Sequence, residues 1–270
     1  MNEVSLIKVA VAGAAGRMGI EVLRTVVAAD DMELVAATDR KHVGESVRVL
    51  AGPDAPNFNL EDKIGEALDR TGADVLVDFT HGAVAPDHAL SAIKRGVSPV
   101  IGTSGMSAED IAVVRKACED HNVPGCLIPN FAVGAVLMTK FAEMAAEWMP
   151  HVEVIEMHHD GKLDAPSGTA IHTAERIAAH RQSVPAKNPN EKLKAEGARG
   201  GLVKNVPVHS VRLPGLVAHQ MVLFGGNGEL LTIQHDSMNR ASFMEGVKLA
   251  IRKVRSQQGL VVGLDRLMFD

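Results

Sequence analysis

Residues 158–170 read HHDGKLDAPSGTA and concentrate proton-active groups beside a turn suited to anions. An imidazole with an ordinary pKa of about 6.5 passes a proton at neutral pH, so His158 or His159 suits general acid–base work. On an extended strand the two rings point to opposite faces and should not share a role. Lys162 adds a full positive charge. Pro166 fits the first helical position or the turn before it. Ser167, Gly168 and Thr169 then offer hydroxyls and N–H groups at a helix start, an arrangement that holds carboxylate or phosphate. The stretch therefore suits binding and protonating an anionic substrate, with a hydride arriving from elsewhere. The same residue types also fit a plain N-cap and two surface histidines, and both readings stay open. No metal is expected, because Asp160 and Asp164 are loosely placed and no carboxylate or cysteine completes a known ligand spacing.

A second chemical cluster lies near the start. GAAGRMG places glycines at 13, 16 and 19, directly after a strand and at a helix start. Gly13 suits the tight turn, Gly16 lets backbone approach a pyrophosphate, and Gly19 lets the helix lie close to the sheet. The helix N-terminus presents N–H groups and a positive dipole end to phosphate, and Arg17 adds a direct charge. The spacing is G-x-x-G-x-x-G, not the commoner G-x-G-x-x-G, so a ligand-free turn is the competing reading. Asp39 ends the second strand, where an acid would hold the adenosine ribose hydroxyls. Arg40 and Lys41 follow at once and suit a 2′-phosphate, or else form a solvated loop pair. The mixture suggests a site tolerant of both NADH and NADPH. GTSG (102–105) suits backbone passing near a nicotinamide, or an ordinary strand-to-helix loop. In PNFAVG (129–134), Asn130 suits an amide or ribose and Phe131 a ring wall, or else the segment is a hinge with a packed phenylalanine.

These groups need positioning elements. LIKVAVAG, MELVAATD, ADVLVDFT, SPVIGTSG and VPGCLIPN are apolar runs that read as strands. RMGIEVLRTVVAAD, APDHALSAIKRG and SAEDIAVVRKACEDH read as helices between them. Ser107 with Asp110 has capping-box spacing. Strands alternating with helices predict a doubly wound parallel sheet of Rossmann type, an α/β fold. The pattern changes after about residue 130. FAVGAVLMTKFAEMAAEWM reads as a long helix and HVEVIEMHH as a strand. VPVHSVRL, LVAHQMVLFG and ELLTIQHDS read as strands of a mixed or antiparallel sheet, the last two joined by a GGNG hairpin turn. Residues 181–200 read as a polar surface loop, and SFMEGVKLAIRKVRSQ as a closing helix. The expected organisation is a dinucleotide-binding domain over 1–130, with 240–270 packing back onto it. A substrate-binding and oligomerisation domain of α+β type is expected over 131–239.

Composition narrows the function classes. With 270 residues, 46% hydrophobic and 23% charged, the chain can bury a real core. A net charge of −5, no basic run, seven Phe, one Trp and no Tyr argue against nucleic-acid binding. Cys118 and Cys126 fit no zinc spacing and read as free thiols of a reducing cytosol, a disulfide being the lesser alternative. No secretory leader or membrane span is expected, and the expected location is cytoplasmic.

VAGAAGRMG, VDFT, IGTSG, PNFAVG and above all EMHHDGKLDAPSGTA resemble the 4-hydroxy-tetrahydrodipicolinate reductases, also called dihydrodipicolinate reductases, of lysine biosynthesis. The likeness runs in order from about residue 7 to 255. The pattern E-x-H-H-x-x-K-x-D-A-P-S-G-T is specific to that family, whereas the glycine motif is not. The resemblance implies a two-domain reductase, a homotetramer built through the second domain's sheet. It implies hydride transfer from NADH or NADPH to a cyclic dicarboxylate, giving tetrahydrodipicolinate. It makes His158 the proton donor and acceptor and Lys162 a second donor. His159 would contact substrate, and Gly168 and Thr169, beside Ser167, would grip a carboxylate. Gly13, Ala14, Ala15, Gly16, Arg17 and Met18 would hold the pyrophosphate, Asp39 the ribose and Arg40 the 2′-phosphate. Gly102, Thr103 and Ser104, with Ile128, Pro129, Asn130 and Phe131, would line the nicotinamide side. Arg240 falls where the family has a basic residue near the domain junction. Two departures stand out: Ser104 replaces the threonine of GTTG, and Asp160–Gly161 puts an acid where some relatives are basic. Two rival functions remain: another two-domain NAD(P)-dependent dehydrogenase, which leaves KLDAPSGT unexplained, and a non-catalytic dinucleotide-sensing module, which would not need Lys162 or the histidines.

Overall fold

The first apolar run, Ile7–Ala12, forms strand β1, and its last four residues are buried. Such unbroken burial marks a parallel strand covered on both faces. The computed structural model describes residues 5–103, 105–186 and 188–270. After β1 come α1 (Arg17–Val27), β2 (Met32–Thr38), α2 (Val47–Ala51), α3 (Ile64–Thr71), β3 (Val75–Asp78), α4 (Ala85–Ile93), β4 (Ser98–Ile101), α5 (Ala108–His121) and β5 (Gly125–Leu127). Then follow α6 (Val133–Ala146), β6 (His151–His158), α7 (Gly168–His180), β7 (Gly201–Val203), β8 (Val206–Arg212), β9 (Ala218–Gly226) and β10 (Glu229–Ser237). The chain closes with α8 (Met244–Lys253), β11 (Leu260–Val262) and α9 (Leu264–Phe269).

Two compact units result: residues 1–131 with 243–270, and residues 132–242. In the first, six parallel strands run in the order β11-β5-β4-β3-β1-β2. The order reverses direction at β1, as in a doubly wound sheet. Helix α1 buries Val22, Leu23 and Val26, a spacing that lines one helical face. On α3, Ile64, Ala67 and Leu68 join Ala10, Ala12, Ala36 and Leu76 of the sheet in one core cluster. The capping box forms: Ser107 Oγ accepts from Asp110 N at 3.0 Å, and Asp110 Oδ2 accepts from Ser107 N at 3.2 Å. Cys118 and Cys126 are free and buried.

The second unit has a five-stranded mixed sheet, β10-β9-β6-β8-β7, in which only β6–β8 is parallel. Helices α6 and α7 cover one face through Ala142, Ala146, Ala170, Ala174 and Ile177, packed on Val154, Val208, Val222 and Phe224. Gly226 pairs with Glu229, so Asn227–Gly228 is a two-residue hairpin loop with Gly228 at φ +80°. A second two-residue loop, Lys204–Asn205, joins β7 to β8 with φ of 49° and 63°. The sequence patterns assign a loop to 181–200 and a strand from 206, and leave β7 between them unassigned. Its turn lacks the glycine that marks such hairpins, though asparagine tolerates this backbone.

Candidate active site

Strand β6 alternates exposure and burial until Val152, Val154 and Glu156 lie inward, with His158 next on the same face. Glu156 is fully buried, and a buried carboxylate must be paired. Its Oε2 meets His158 Nδ1 at 2.5 Å, and its Oε1 accepts the Ser167 N–H at 3.2 Å. Arg212, opposite His158 on β8, donates to both oxygens at 2.9 and 2.8 Å. Burial pushes the Glu156 carboxyl toward protonation, but hydrogen bonds from Arg212, Ser210 and His158 outweigh it and hold the group below its ordinary range. The ionised carboxylate only accepts, so Nδ1 carries the proton and Nε2 is left for exchange. For His158 itself, burial is the largest influence and lowers the pKa; Glu156 pulls it up, while Lys162 and Arg212 add to the lowering.

The loop after β6 carries the other groups. His159 is exposed, and a Cβ on Gly161 would lie 3.3 Å from its Nδ1, so the turn runs close beneath that ring. Lys162 donates its N–H to His159 O at 3.2 Å and its ammonium to Asp164 Oδ1 at 2.6 Å. Asp164, loosely placed by spacing alone, is thus the lysine's partner, and that hydrogen bond lowers its pKa. Pro166 precedes the N-cap, following a cis Ala165–Pro166 bond, and is not itself helical. Ser167 is the N-cap: its Oγ accepts from Ala170 N at 3.2 Å, and it is buried. Its hydroxyl oxygen thus accepts a helix N–H and its own N–H is held by Glu156, while the hydroxyl proton is still to donate. Gly168 is exposed at the first helical position, where the N–H has no helical acceptor, and Thr169 follows. His158, His159, Lys162, Ser167, Gly168 and Thr169 thus gather at one strand end and one helix start. Arg240 is exposed at the other end of the unit's chain segment.

In the first unit the glycine loop connects β1 to α1. Gly13 has φ +74°, and a Cβ on Gly19 would lie 2.0 Å from Gly13 O, so helix and loop touch backbone to backbone. Gly13 N and Ala14 N donate to Thr38 O, Ala15 N donates to Asp39 Oδ2 at 3.2 Å, and Gly16 N donates to Gly13 O. Those four donors build the loop. The first-turn N–H groups of Arg17 and Met18 lie beyond it, at a helix start whose cap, Gly16, makes no side-chain bond. Asp39 Oδ1 accepts from Lys41 N at 3.0 Å, and Arg17, Arg40 and Lys41 are exposed. Thr103 is buried with Oγ1 3.1 Å from Asp78 Oδ1, and Gly102 lies against the Phe79 ring. Ser104 lies outside the described residues. Ile128 is buried with its N–H on Ile101 O, Pro129 is exposed, Asn130 half-buried, and Phe131 packs on Phe79 with ring centres 5.4 Å apart.

Residues 7–131 match the family described as "Dihydrodipicolinate reductase, N-terminus", and residues 134–268 match "Dihydrodipicolinate reductase, C-terminus". The chain belongs to the dihydrodipicolinate reductase family. It is an oxidoreductase of that family. It is 50% identical over 266 residues to the 4-hydroxy-tetrahydrodipicolinate reductase of Halalkalibacterium halodurans, covering 97% of this chain and 100% of that one. It is 48% identical over 261 residues to the same-named protein of Syntrophomonas wolfei, covering 97% and 98%. Among solved structures it resembles a dipicolinate-bound dihydrodipicolinate reductase from Paenisporosarcina sp. TG-14, at 43% identity and TM-score 0.85, covering 97% of this chain and 99% of that one.

Three groups in this dihydrodipicolinate reductase went without a role in the sequence reading. Glu156 stood inside the quoted motif, and its signal was available: a charge two residues before His158 on a strand shares that residue's face. Arg212 had no local signal, because only the parallel pairing of β8 with β6 brings it to Glu156. The third is Asp78, 1% exposed at the end of β3. Its Oδ1 accepts from Thr80 N and Oγ1 at 2.8 and 2.6 Å and from Thr103, and its Oδ2 meets His88 Nδ1 at 2.7 Å. One carboxylate thereby ties together the loops after β3 and β4.

Proposed function

We propose that the chain reduces 4-hydroxy-tetrahydrodipicolinate to tetrahydrodipicolinate with loss of water, using NADH or NADPH. The first unit would hold the dinucleotide and the second the substrate. The residues of the first unit fit such a cofactor. A Cβ at Gly13 would meet the Phe79 backbone and one at Gly19 the Gly13 carbonyl oxygen, so glycine at both lets the loop close on the sheet and on α1, while Gly16 and Arg17 at the helix start stay exposed. Arg17 and Met18 would donate backbone N–H groups to the pyrophosphate, with the helix dipole behind them. Asp39, already oriented by Ala15 and Lys41, would accept the ribose hydroxyls, and Arg40 would meet a 2′-phosphate. Gly102 and Thr103, with Ile128 to Phe131, would line the nicotinamide side, Thr103 and Ile128 by their backbone, since both side chains are buried.

A reduced nicotinamide supplies a hydride when bound; the remaining work falls to the chain's own residues. The Gly168 and Thr169 turn would grip one carboxylate of the ring, with His159 beside it. His158 Nε2 would pass a proton to the substrate, and the Lys162 ammonium, preset by Asp164, would be the second donor. Loss of water takes one donated proton to the leaving hydroxyl and gives one back from the adjacent ring carbon; hydride addition then takes one proton onto that carbon, so the net uptake is one hydride and one proton. A homotetramer through the second unit's sheet is part of the reading. Ile155, Met157, Met221 and Leu223, half-buried and facing away from α6 and α7, would form its contact.

The observation that carries the reading is the strand end where a buried, clamped carboxylate presents a histidine next to a lysine and an open helix start. The test is a coupled assay with freshly condensed aspartate semialdehyde and pyruvate, run with each cofactor. Turnover is expected with both NADH and NADPH. His158→Gln and Lys162→Ala should each lower kcat by ~10²–10⁴, the worth of a general acid, with NADH affinity little changed. No turnover in the wild type, or full activity in both variants, overturns the assignment.

A further inference from the structure

Glu156 stands between two groups with separate tasks in the proposed reaction. One oxygen contacts the His158 ring at 2.5 Å; the other accepts the Ser167 N–H at 3.2 Å. Ser167 in turn caps α7, so this second contact sets where the helix starts and where Gly168 and Thr169 point. Arg212 spans both oxygens and also donates to Asp164 O at 2.6 Å, joining the loop that carries Lys162. A bidentate guanidinium fixes the carboxylate plane as well as its charge. Glu156 is fully buried and Arg212 mostly so, which strengthens the charge-assisted bonds between them.

We propose that Glu156 is the positioning residue of this site: through its two oxygens it holds the His158 ring and the anion-binding turn in one frame, with Arg212 as clamp. The proposal rests on the reading of His158 as proton donor given above. Glu156 is not a catalytic residue, since His158 and Ser167 stand between it and any substrate. The charged groups facing His158 are Glu156 on its own strand, Arg212 on β8 and Lys162 from the following loop. On the other side, β9 brings Ala218 opposite His158 and no charge. The carboxylate is therefore the one neighbour that favours the imidazolium, the proton-carrying form. It also places that proton relative to the bound carboxylate of the substrate, so loss of Glu156 should alter both kcat and the KM for the dicarboxylate.

The experiment compares full-length wild type, Glu156→Gln, Glu156→Asp and His158→Gln by pH–rate profiles and thermal melts. Activity that needs protonated His158 falls as pH rises through its pKa. Removing the neighbouring negative charge lowers that pKa, so in Glu156→Gln the alkaline limb of kcat/KM should move toward acid by about one pH unit, the lower end for a contacting opposite charge. The KM for the dicarboxylate should rise in the same variant while the KM for NADH holds. Glu156→Asp keeps the charge but retracts it, and should restore part of the limb position; it also serves if the glutamine variant fails to fold. Lower activity with an unmoved limb, in whichever variant folds, overturns the proposal while leaving His158 in its role. Full activity in His158→Gln removes the reading beneath it, and the proposal with it.

Discussion

The lysine of this site illustrates how little a short-range pair contributes to stability and how much it can contribute to chemistry. Lys162 and Asp164 meet at 2.6 Å, with the aspartate side chain 58% exposed. Such an exposed pair is worth only about 0–1 kcal/mol to the fold. In the proposed reaction it would hold the ammonium in one place near His158. Asp164→Asn should therefore leave the thermal midpoint nearly unchanged and lower kcat/KM by about tenfold, a modest loss of preorganisation. Steady-state kinetics beside a melt of the same preparation checks both halves. An equal fall in stability and activity would mean that the pair supports the loop as a whole. Glu156 and Arg212 are the opposite case: buried and bidentate, the pair is costly to break from one side, by about 3–5 kcal/mol.

At the scale of elements, the β1–α1 junction depends on what is missing. A methyl group at position 19 would sit 2.0 Å from Gly13 O and 2.8 Å from the Ala14 backbone, and neither neighbour is a flexible side chain. In Gly19→Ala the helix must withdraw from the loop. The expected loss is about 1–3 kcal/mol, the usual range for forcing extra atoms into a packed site, together with weaker NADH binding because Arg17 and Met18 move with the helix. Chemical denaturation and fluorescence titration with NADH read the two effects. The end of β3 works differently, through a carboxylate. Asp78 gathers Thr80, Thr103 and His88, so the loops after β3 and β4 are tied by a buried polar group as well as by the close approach of Gly102 to Phe79.

For the whole molecule, acid is the revealing stress. Glu156 and Glu143 both hold protons less tightly than ordinary glutamates: in each, burial works toward protonation and bonded cations overcome it. Depressed carboxyl pKa values contribute stability that is full above the unfolded-state value and is lost as pH falls through the folded-state value. His158 and His235, lowered by burial, act in the same direction at higher pH, because the unfolded chain takes up protons first. The thermal midpoint should therefore begin to fall below about pH 6.5 and fall again in the carboxylate range. His158→Gln should soften the first step in melts recorded across that range; an unchanged first step would place the histidine contribution elsewhere. The buried thiols do not enter, since burial pushes Cys118 up to about 11 and raises Cys126 further. Among the described residues no helix is long and apolar enough to cross a membrane.

Local pattern alone determined the parallel sheet, the mixed sheet and the residues that gather at the end of β6. Unbroken apolar runs, period-two alternation and the glycine and N-cap signals are short-range properties of a chain. Helices α2, α3 and α9 and strands β7 and β11 escaped that reading because their runs are short or their turns unmarked. What only the tertiary structure decided is which polar groups remain available for chemistry. Residue types put Ser167, Thr103 and Gly13 to Gly16 on offer to ligands. Folding uses the Ser167 hydroxyl as a cap, the Thr103 hydroxyl on Asp78, and the four loop N–H groups within the first unit. Arg212 becomes the clamp of Glu156 only when β8 pairs with β6. The physical reason is that a buried donor or acceptor must find a partner, and across strands distant in sequence no local spacing records which partner that will be.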